Sequence, residues 1–436
     1  MEQIYRDLRN KIRQKKVKLA VIGLGYVGLP LAVEFAKKGF SVFGIDLDSE
    51  RIERIKRCIP YILDIKLKDL NGVIKKEKLI PSSDFSLLKK ADIIFICVPT
   101  PLKSKYRPDI SYIVNAVKEI RRYLKGVKLI VLESTTYPET TEKEILPLLE
   151  SPGLRHGRDF YLAFSPERID PANKKFPLRK IPKIIGGINK EAAELAKLIY
   201  KNIIENIVLV SSCRVAETVK LFENTFRFVN IALVDEMAIM AHKMDIDIWE
   251  VIEAAKTKPF GFMPFYPGPG VGGHCISKDP LYLYWKARHY GFASRLIKIA
   301  SDIVNYMPEY VVGRISQILD KQKKKLSKSR ILLIGVTYKK DVKDLRKSPA
   351  LEIIEILQRH KAIVFYYDPL IPYLKLDRID LKSIDLHKEN LNKFDCVVIT
   401  TDHSAIDYKF ILKNAKLIFD TRNVYKNTSD KKIIKL

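Results

Sequence analysis

Residues 17–28 read Val-Lys-Leu-Ala-Val-Ile-Gly-Leu-Gly-Tyr-Val-Gly, and Leu29 to Lys38 follows with helical periodicity. A short apolar run, a glycine turn and an amphipathic helix in immediate succession predict a βα unit of the dinucleotide-binding kind. Each glycine answers a separate need. Gly23 permits the tight turn, Gly25 lets the backbone approach a pyrophosphate, and Gly28 lets the helix pack on the strand; Tyr26 and Val27 fill the positions between them. The helix N-terminus then offers amide donors and a favourable dipole to phosphate. A second strand, Ser41 to Ile45, ends in Asp46. That carboxylate lies about 20 residues past the glycines, where it can accept hydrogen bonds from a ribose diol and would repel a 2′-phosphate, so NAD is expected over NADP.

Working outward, the alternation continues. Ala91 to Val98, Leu129 to Leu132 and Phe160 to Phe164 read as buried strands, ending in Pro99-Thr100-Pro101, Glu133-Ser134-Thr135-Thr136 and Ser165-Pro166-Glu167-Arg168. Ligands of open α/β sheets bind beyond the carboxyl ends of strands, so these clusters are binding candidates as a group. Thr100 and Ser134 suit helix caps and turns equally well. From Ala216 to Met244 the chain is helical in pattern, with neither Pro nor Gly. Lys220 and Asn224, four apart, share a face, as do Glu217 and Leu221 on the neighbouring one. So long a helix predicts burial on several sides, as a spine of the molecule. Lys321 to Arg330 is basic and without periodicity, a linker. Beyond it a second α/β unit follows without the three-glycine fingerprint. Val336 to Arg346, at the end of its first strand, offers several cations, Lys339 and Arg346 among them, to phosphate.

The glycine- and proline-rich stretch Pro259 to Gly273 delivers the chain to His274-Cys275-Ile-Ser-Lys278-Asp279-Pro280. Asp279 reads as an N-cap and Pro280 as the first helical residue. Cys275 then lies near the positive end of a helix dipole, with Lys278 close by. Both influences favour the thiolate that a nucleophilic cysteine needs. The same position suits a buried structural cysteine.

Bulk properties bound the answer. A chain of 436 residues exceeds one core and predicts roughly two or three domains: 1–212 with the dinucleotide turn, 213–320 helical and carrying the cysteine loop, and 321–436 as the second α/β unit. Five cysteines, odd in number and widely spaced, argue against a disulfide framework or zinc site and for a reducing, cytoplasmic setting. The charged N-terminus does not read as a signal peptide, and no apolar run approaches the roughly 18 residues of a membrane span. The net charge of +27 is dispersed, which predicts attraction for anionic ligands rather than nucleic acid. No metal ligands cluster.

Five ordered motifs, Gly23-Leu-Gly-Tyr-Val-Gly-Leu-Pro, Ser165-Pro-Glu-Arg, Ala216-Glu-Thr-Val-Lys220-Leu-Phe-Glu-Asn224, Gly272-Gly-His-Cys275-Ile and Lys339-Lys-Asp-Val-Lys-Asp-Leu-Arg346, together resemble the UDP-glucose/GDP-mannose dehydrogenase family. The 257–272 region and Tyr282 to Ala287 look most like its UDP-N-acetylglucosamine 6-dehydrogenase branch. The resemblance implies two Rossmann-like domains joined by a helical one, a homodimer or higher homo-oligomer built on the long helix, and NAD-dependent four-electron oxidation of the C6 alcohol of a UDP-sugar to the acid. It implies Cys275 as the thiol that holds the intermediate as thiohemiacetal and thioester, Lys220 and Asn224 as oxyanion stabilisers, Asp279 and Glu167 as proton-handling carboxylates, and Thr135 near the hydrolytic water. Thr100 and Ser134 are implied on the cofactor, and Arg168, Lys220, Gly272, Lys339 and Arg346 on the substrate. Ser277 stands where the family has proline, which removes a φ restraint but no reacting group. His274 is implied in a structural or substrate-contacting role rather than as the base of its neighbour.

Overall fold

The computed structural model describes the whole chain except residues 1, 63–64, 104–106, 125, 127, 171–175, 274 and 388, and except the side chains of 2–4. The chain divides into two compact units, Met1–Glu223 with Leu281–Phe292, and Asn224–Pro280 with Ala293–Leu436.

The first unit is built on eight strands: β1 Lys18–Ile22, β2 Ser41–Ile45, β3 Leu79–Ser82, β4 Ile93–Ile96, β5 Lys128–Leu132, β6 Phe160–Phe164, β7 Lys183–Gly187 and β8 Ile207–Leu209. They lie in the order β3-β2-β1-β4-β5-β6-β7-β8. All neighbours are parallel except β6 and β7. β1 and β4 pair Leu19 with Ile93 through Ile22 with Ile96, so the order reverses beside the glycine turn. That reversal opens the crevice in which doubly wound sheets bind ligands. Both faces of the sheet are covered, and the central strands are therefore apolar without alternation.

The second unit holds five parallel strands, β9 Arg330–Ile334, β10 Ile363–Tyr367, β13 Cys396–Ile399, β14 Ile418–Asp420 and β15 Ile433–Lys435, in the order β10-β9-β13-β14-β15. An antiparallel hairpin, β11 Tyr373–Leu376 with β12 Ile379–Lys382, interrupts the chain order. This half repeats the local design of the first. Gly335 follows β9 at φ +82, as Gly23 follows β1 at φ +90. Asp368 ends β10 and accepts the Val336 N–H at 2.7 Å, as Asp46 ends β2 and accepts the Leu24 N–H at 2.7 Å. The second carboxylate is then occupied differently. His403 Nε2 lies 3.1 Å from Asp368 Oδ2, inside the domain.

The long helix runs Cys213–Lys243, three residues earlier than its sequence pattern begins. At 1.5 Å per residue its 31 residues extend about 46 Å. One side of the helix is buried by this chain and another is left uncovered by it. Phe222, Phe226, Leu233 and Met240 stand in the open, spaced four and seven apart. The helix Arg295–Asp320 tolerates Pro308 inside it. Proline has no N–H for the Val304 carbonyl, and Gly270 lies against that oxygen.

Candidate functional site

The dinucleotide turn comes first in the chain and in the first unit. A Cβ on Gly28 would stand 1.9 Å from the Gly23 carbonyl oxygen, and one on Gly23 would stand 2.7 Å from that of Cys97. A Cβ on Gly25 would meet no atom within 4 Å. Two glycines thus serve packing, and the third borders open space, where a pyrophosphate could approach the backbone. Asp46 Oδ2 takes the Leu24 N–H and also the Arg51 guanidinium at 2.7 Å, and Oδ1 takes the Asp48 N–H at 3.0 Å. Arg51 and Arg54 both lie over the Tyr61 ring, whose hydroxyl donates to Leu24 O at 2.5 Å. The residues fit a dinucleotide, since Asp46 Oδ1 accepts one bond where Oδ2 accepts two and so keeps acceptor capacity for a ribose hydroxyl. Sequence reading missed Arg51, although its place five residues past Asp46 on the following helix was available as a signal.

The strand-end clusters separate into different roles. Ser134 Oγ donates to Val98 O at 2.8 Å and so bridges two strand ends; Thr100 is buried and its carbonyl accepts the Tyr282 hydroxyl. Thr135 is half-buried. Glu167 is not a loose carboxylate. It accepts the Arg168 and Ile169 N–H groups at 2.6 and 2.7 Å, and Lys183 Nζ at 3.0 Å. Lys183 also reaches Glu133 at 2.7 Å, and Glu133 takes the Tyr200 hydroxyl. Burial acts to raise Glu167, but Lys183 and the two amides outweigh it and hold the carboxyl below its usual range. Glu133 is pushed up by burial against Lys183, and Lys183 is held up by the two acids against its own burial. Arg168 forks onto Glu223, with contacts of 3.2 and 2.6 Å. Lys220 is buried on the long helix, not solvated.

The thiol belongs to the second unit. Cys275 is exposed, whereas Cys97, Cys213 and Cys396 are buried and Cys58 is intermediate. The buried-structural alternative therefore does not apply to it. Its loop is threaded closely past the start of the second α/β domain. A Cβ on Gly272 would meet Tyr338 Cβ at 2.5 Å and Lys347 O at 2.6 Å, one on Gly273 would strike the Tyr338 ring at 2.7 Å, and Gly273 N–H donates to Arg346 O at 2.9 Å. Gly272 and Gly273 are thus required by packing against residues 338–349, a relation that no local spacing announces.

Asp279 is not the N-cap expected of it. Its N–H donates to Cys275 O at 2.9 Å, so the helical turn already begins at the cysteine and Asp279 is the first residue of the helix Asp279–Arg288. Released from capping, its buried carboxylate accepts the Asn224 side-chain amide at 2.6 Å. Lys278 is buried beside them. Desolvation lowers it to about 8, against the pull of Asp279 and Cys275. Ser277 Oγ donates to Gly273 O at 3.0 Å and supplies a tie where the proline restraint is missing. Arg346 forks onto Asp344 at 2.7 and 3.0 Å, and Lys339 is half-buried on the same loop. His274 lies outside the described residues.

Comparisons with known proteins fall on these features. Models of the UDP-glucose/GDP-mannose dehydrogenase family match the chain in three parts: the NAD binding domain over residues 17–204, the central domain over 214–306 and the UDP binding domain over 332–427. The UDP-N-acetyl-D-mannosamine dehydrogenase of Pyrococcus horikoshii is 37% identical over 94% of this chain and 96% of its own. The UDP-N-acetyl-D-glucosamine 6-dehydrogenase of Pseudomonas aeruginosa is 39% identical over 81% of this chain and 83% of its own. The solved structure of the UDP-D-ManNAc dehydrogenase from Pyrococcus horikoshii superposes with a TM-score of 0.87 at 36% identity, over 96% of this chain and 98% of that one.

Proposed function

This chain belongs to the UDP-glucose/GDP-mannose dehydrogenase family and is an NAD-dependent UDP-sugar dehydrogenase, and we propose that it oxidises the C6 alcohol of a UDP-N-acetylhexosamine to the carboxylate. The observation that carries the covalent route is the exposure of Cys275 on a loop joined by Gly272 and Gly273 to the domain matched as UDP binding. When bound, NAD accepts a hydride from the sugar carbon in each of two oxidations. The chain supplies the rest. Cys275 thiolate adds to the aldehyde, giving a thiohemiacetal; loss of a second hydride leaves a thioester; water cleaves it, releasing the acid and restoring the thiol. No reactive aldehyde needs to leave.

Lys220 and Asn224 stabilise the oxyanions as they develop. Asp279, aligned by Asn224, handles the proton of the alcohol or the hydrolytic water. Thr135 positions that water. Glu167, immobilised by Lys183 and two amides, acts as a fixed acceptor and not as a group that cycles its proton. Gly23, Gly25, Gly28 and Asp46 hold the dinucleotide, with Tyr26, Val27, Thr100 and Ser134 lining its path; Arg168, Gly272, Lys339 and Arg346 address the UDP-sugar. Similarity over nearly the full chain to the mannosamine enzyme supports the manno epimer at C2. Similarity to the Pseudomonas enzyme supports the gluco epimer as second reading, the one the sequence motifs favour. The exposed row Phe222, Phe226, Leu233 and Met240 follows heptad-like spacing and supports pairing of two copies along the long helix.

A panel of UDP-sugars assayed for NADH and acid tests the reading. Two NADH per acid, with one N-acetylhexosamine preferred, is the expected result, and Cys275→Ala should form no acid while still binding NAD. One NADH per sugar, or undiminished acid formation by that variant, would sink the thioester route.

A further inference from the structure

Glu217 lies on the long helix within the first unit and is fully buried. Its carboxylate is shared by one short segment of chain. Oε2 accepts the Glu139 N–H at 2.6 Å, and Oε1 accepts the Thr141 N–H at 2.9 Å and the Thr141 hydroxyl at 2.7 Å. That segment is the direct continuation of Glu133-Ser134-Thr135-Thr136. Residues 140–145 form a π-type turn, entered through Glu139 in the left-handed region at φ 78. The first N–H groups of such a turn have no acceptor within it, and Glu217 supplies one from outside. Thr136 and Thr140 hydroxyls lie 2.7 Å apart and Thr140 donates to Tyr137 O at 2.7 Å, so what Glu217 grips is stapled back toward Thr135. The side chain of Glu139 is fixed separately, by Lys143 and Lys286 at 2.8 Å each and by Arg214 at 3.5 Å.

Three residues along the same helix is Lys220, about one turn on. Packing alone would be served by an apolar side chain at 217. Instead an acid stands there, with its carboxyl pushed up to about 7 by burial against the hydrogen bonds from Thr141 and Glu139, and what it adds over an apolar residue is its acceptor geometry.

The structure assigns to Glu217 a positioning role: it fixes the segment carrying Thr135 against the turn of the long helix that carries Lys220, and so sets the relation between these two groups. The inference rests on the roles proposed above for Thr135 and Lys220. Glu217 itself touches no reacting atom. A misplacement of about 1 Å can cost on the order of 100-fold in rate, so a clamp of this kind acts on kcat more than on NAD binding.

The test is a double-mutant cycle. Glu217→Gln keeps one acceptor oxygen but turns an amide donor toward the Glu139 N–H. It should lower kcat per NAD-binding site by about 10–100-fold, with KM for NAD changed less than about 2-fold. Thr135→Ala should also lower kcat, and the double variant should lie within about 3-fold of the worse single, because the clamp acts through Thr135. Losses that multiply in full, or an E217Q variant with the parent kcat per NAD-binding site, overturn the inference and leave the proposed function intact. A T135A variant at the parent rate refutes the role given to Thr135 in the reaction, and the clamp with it. Should E217Q not fold, Glu217→Asp, with both oxygens drawn back by one methylene, is carried through the same cycle and judged by the same two outcomes.

Discussion

Asp235 on the long helix has no exposure at all, accepts the Gly268 N–H on Oδ1 at 3.0 Å, and leaves Oδ2 without a hydrogen-bond partner among the described residues. Burial pushes its carboxyl from the usual 3.8 up to about 8, with Gly268 N–H and Arg422 only partly opposing the shift. Between about pH 4 and pH 8 the unfolded chain therefore carries this group ionised while the folded chain keeps it protonated. The folded state binds more protons there, so stability must fall as pH rises through that window and level off above it. Four pH units at about 1.4 kcal/mol each give a ceiling of about 6 kcal/mol. Relaxation of the 267–273 loop and of Arg422 toward the charged form brings this to about 2–3 kcal/mol, given an effective interior dielectric nearer 20 than 4.

Asp235→Asn isolates the effect. The amide oxygen still accepts from Gly268, and its NH2 replaces an unpartnered O–H, so the two proteins should be nearly equal in stability at pH 5. At pH 8 to 9 the variant should unfold higher, by roughly 5–10 °C for a unit of this size. Thermal unfolding followed by near-UV circular dichroism from pH 5 to 9, with the parent subtracted, removes every other titrating group. A difference in midpoint that is flat with pH, or that shrinks as pH rises, would refute the assignment of a protonated buried carboxyl.

Other outcomes follow from the first unit. Gly25→Ala adds a methyl that meets nothing in the protein, so unfolding free energy should change by less than about 1 kcal/mol while NAD affinity falls at least about 10-fold in a binding titration. Gly28→Ala should instead damage the fold, because its Cβ would collide with the Gly23 carbonyl; equal loss of stability in the two variants would contradict the division of labour between the glycines. Asp46→Asn keeps an acceptor for the Leu24 N–H but removes the charge, leaving Arg51 and Arg54 beside the ribose position. The ratio of kcat/KM for NADP over NAD should rise by about 10-fold or more, and an unchanged ratio would show that Asp46 does not set cofactor choice.

What the sequence by itself determined is local. The run from Val17 to Lys38 specifies strand, turn and helix because β-branched residues, positive-φ glycine and 3.6-residue periodicity act over a few neighbours. Asp46 could be found by counting along that unit, and the long helix by the absence of any breaker. The same reasoning makes Asp279 an N-cap, whereas the helix already includes it, with its N–H bonded to Cys275 O one turn back. Nor does it show which row of the long helix this chain leaves uncovered, since that appears only once the helix's neighbours are in place.

Tertiary structure decided which groups are free to act. Glu133 and Lys183 are 50 residues apart, as Asn224 and Asp279 are 55 apart, and whether a carboxylate is tethered, aligned or open depends on such pairs. One cysteine of the five is exposed, on a loop that passes Tyr338 and Lys347 on glycines with no room for a side chain. Periodicity and spacing carry the chemistry of each residue and its neighbours. Burial, and the partner that offsets it, come from chain far away in sequence, and they settle which acids, thiols and cations can still react.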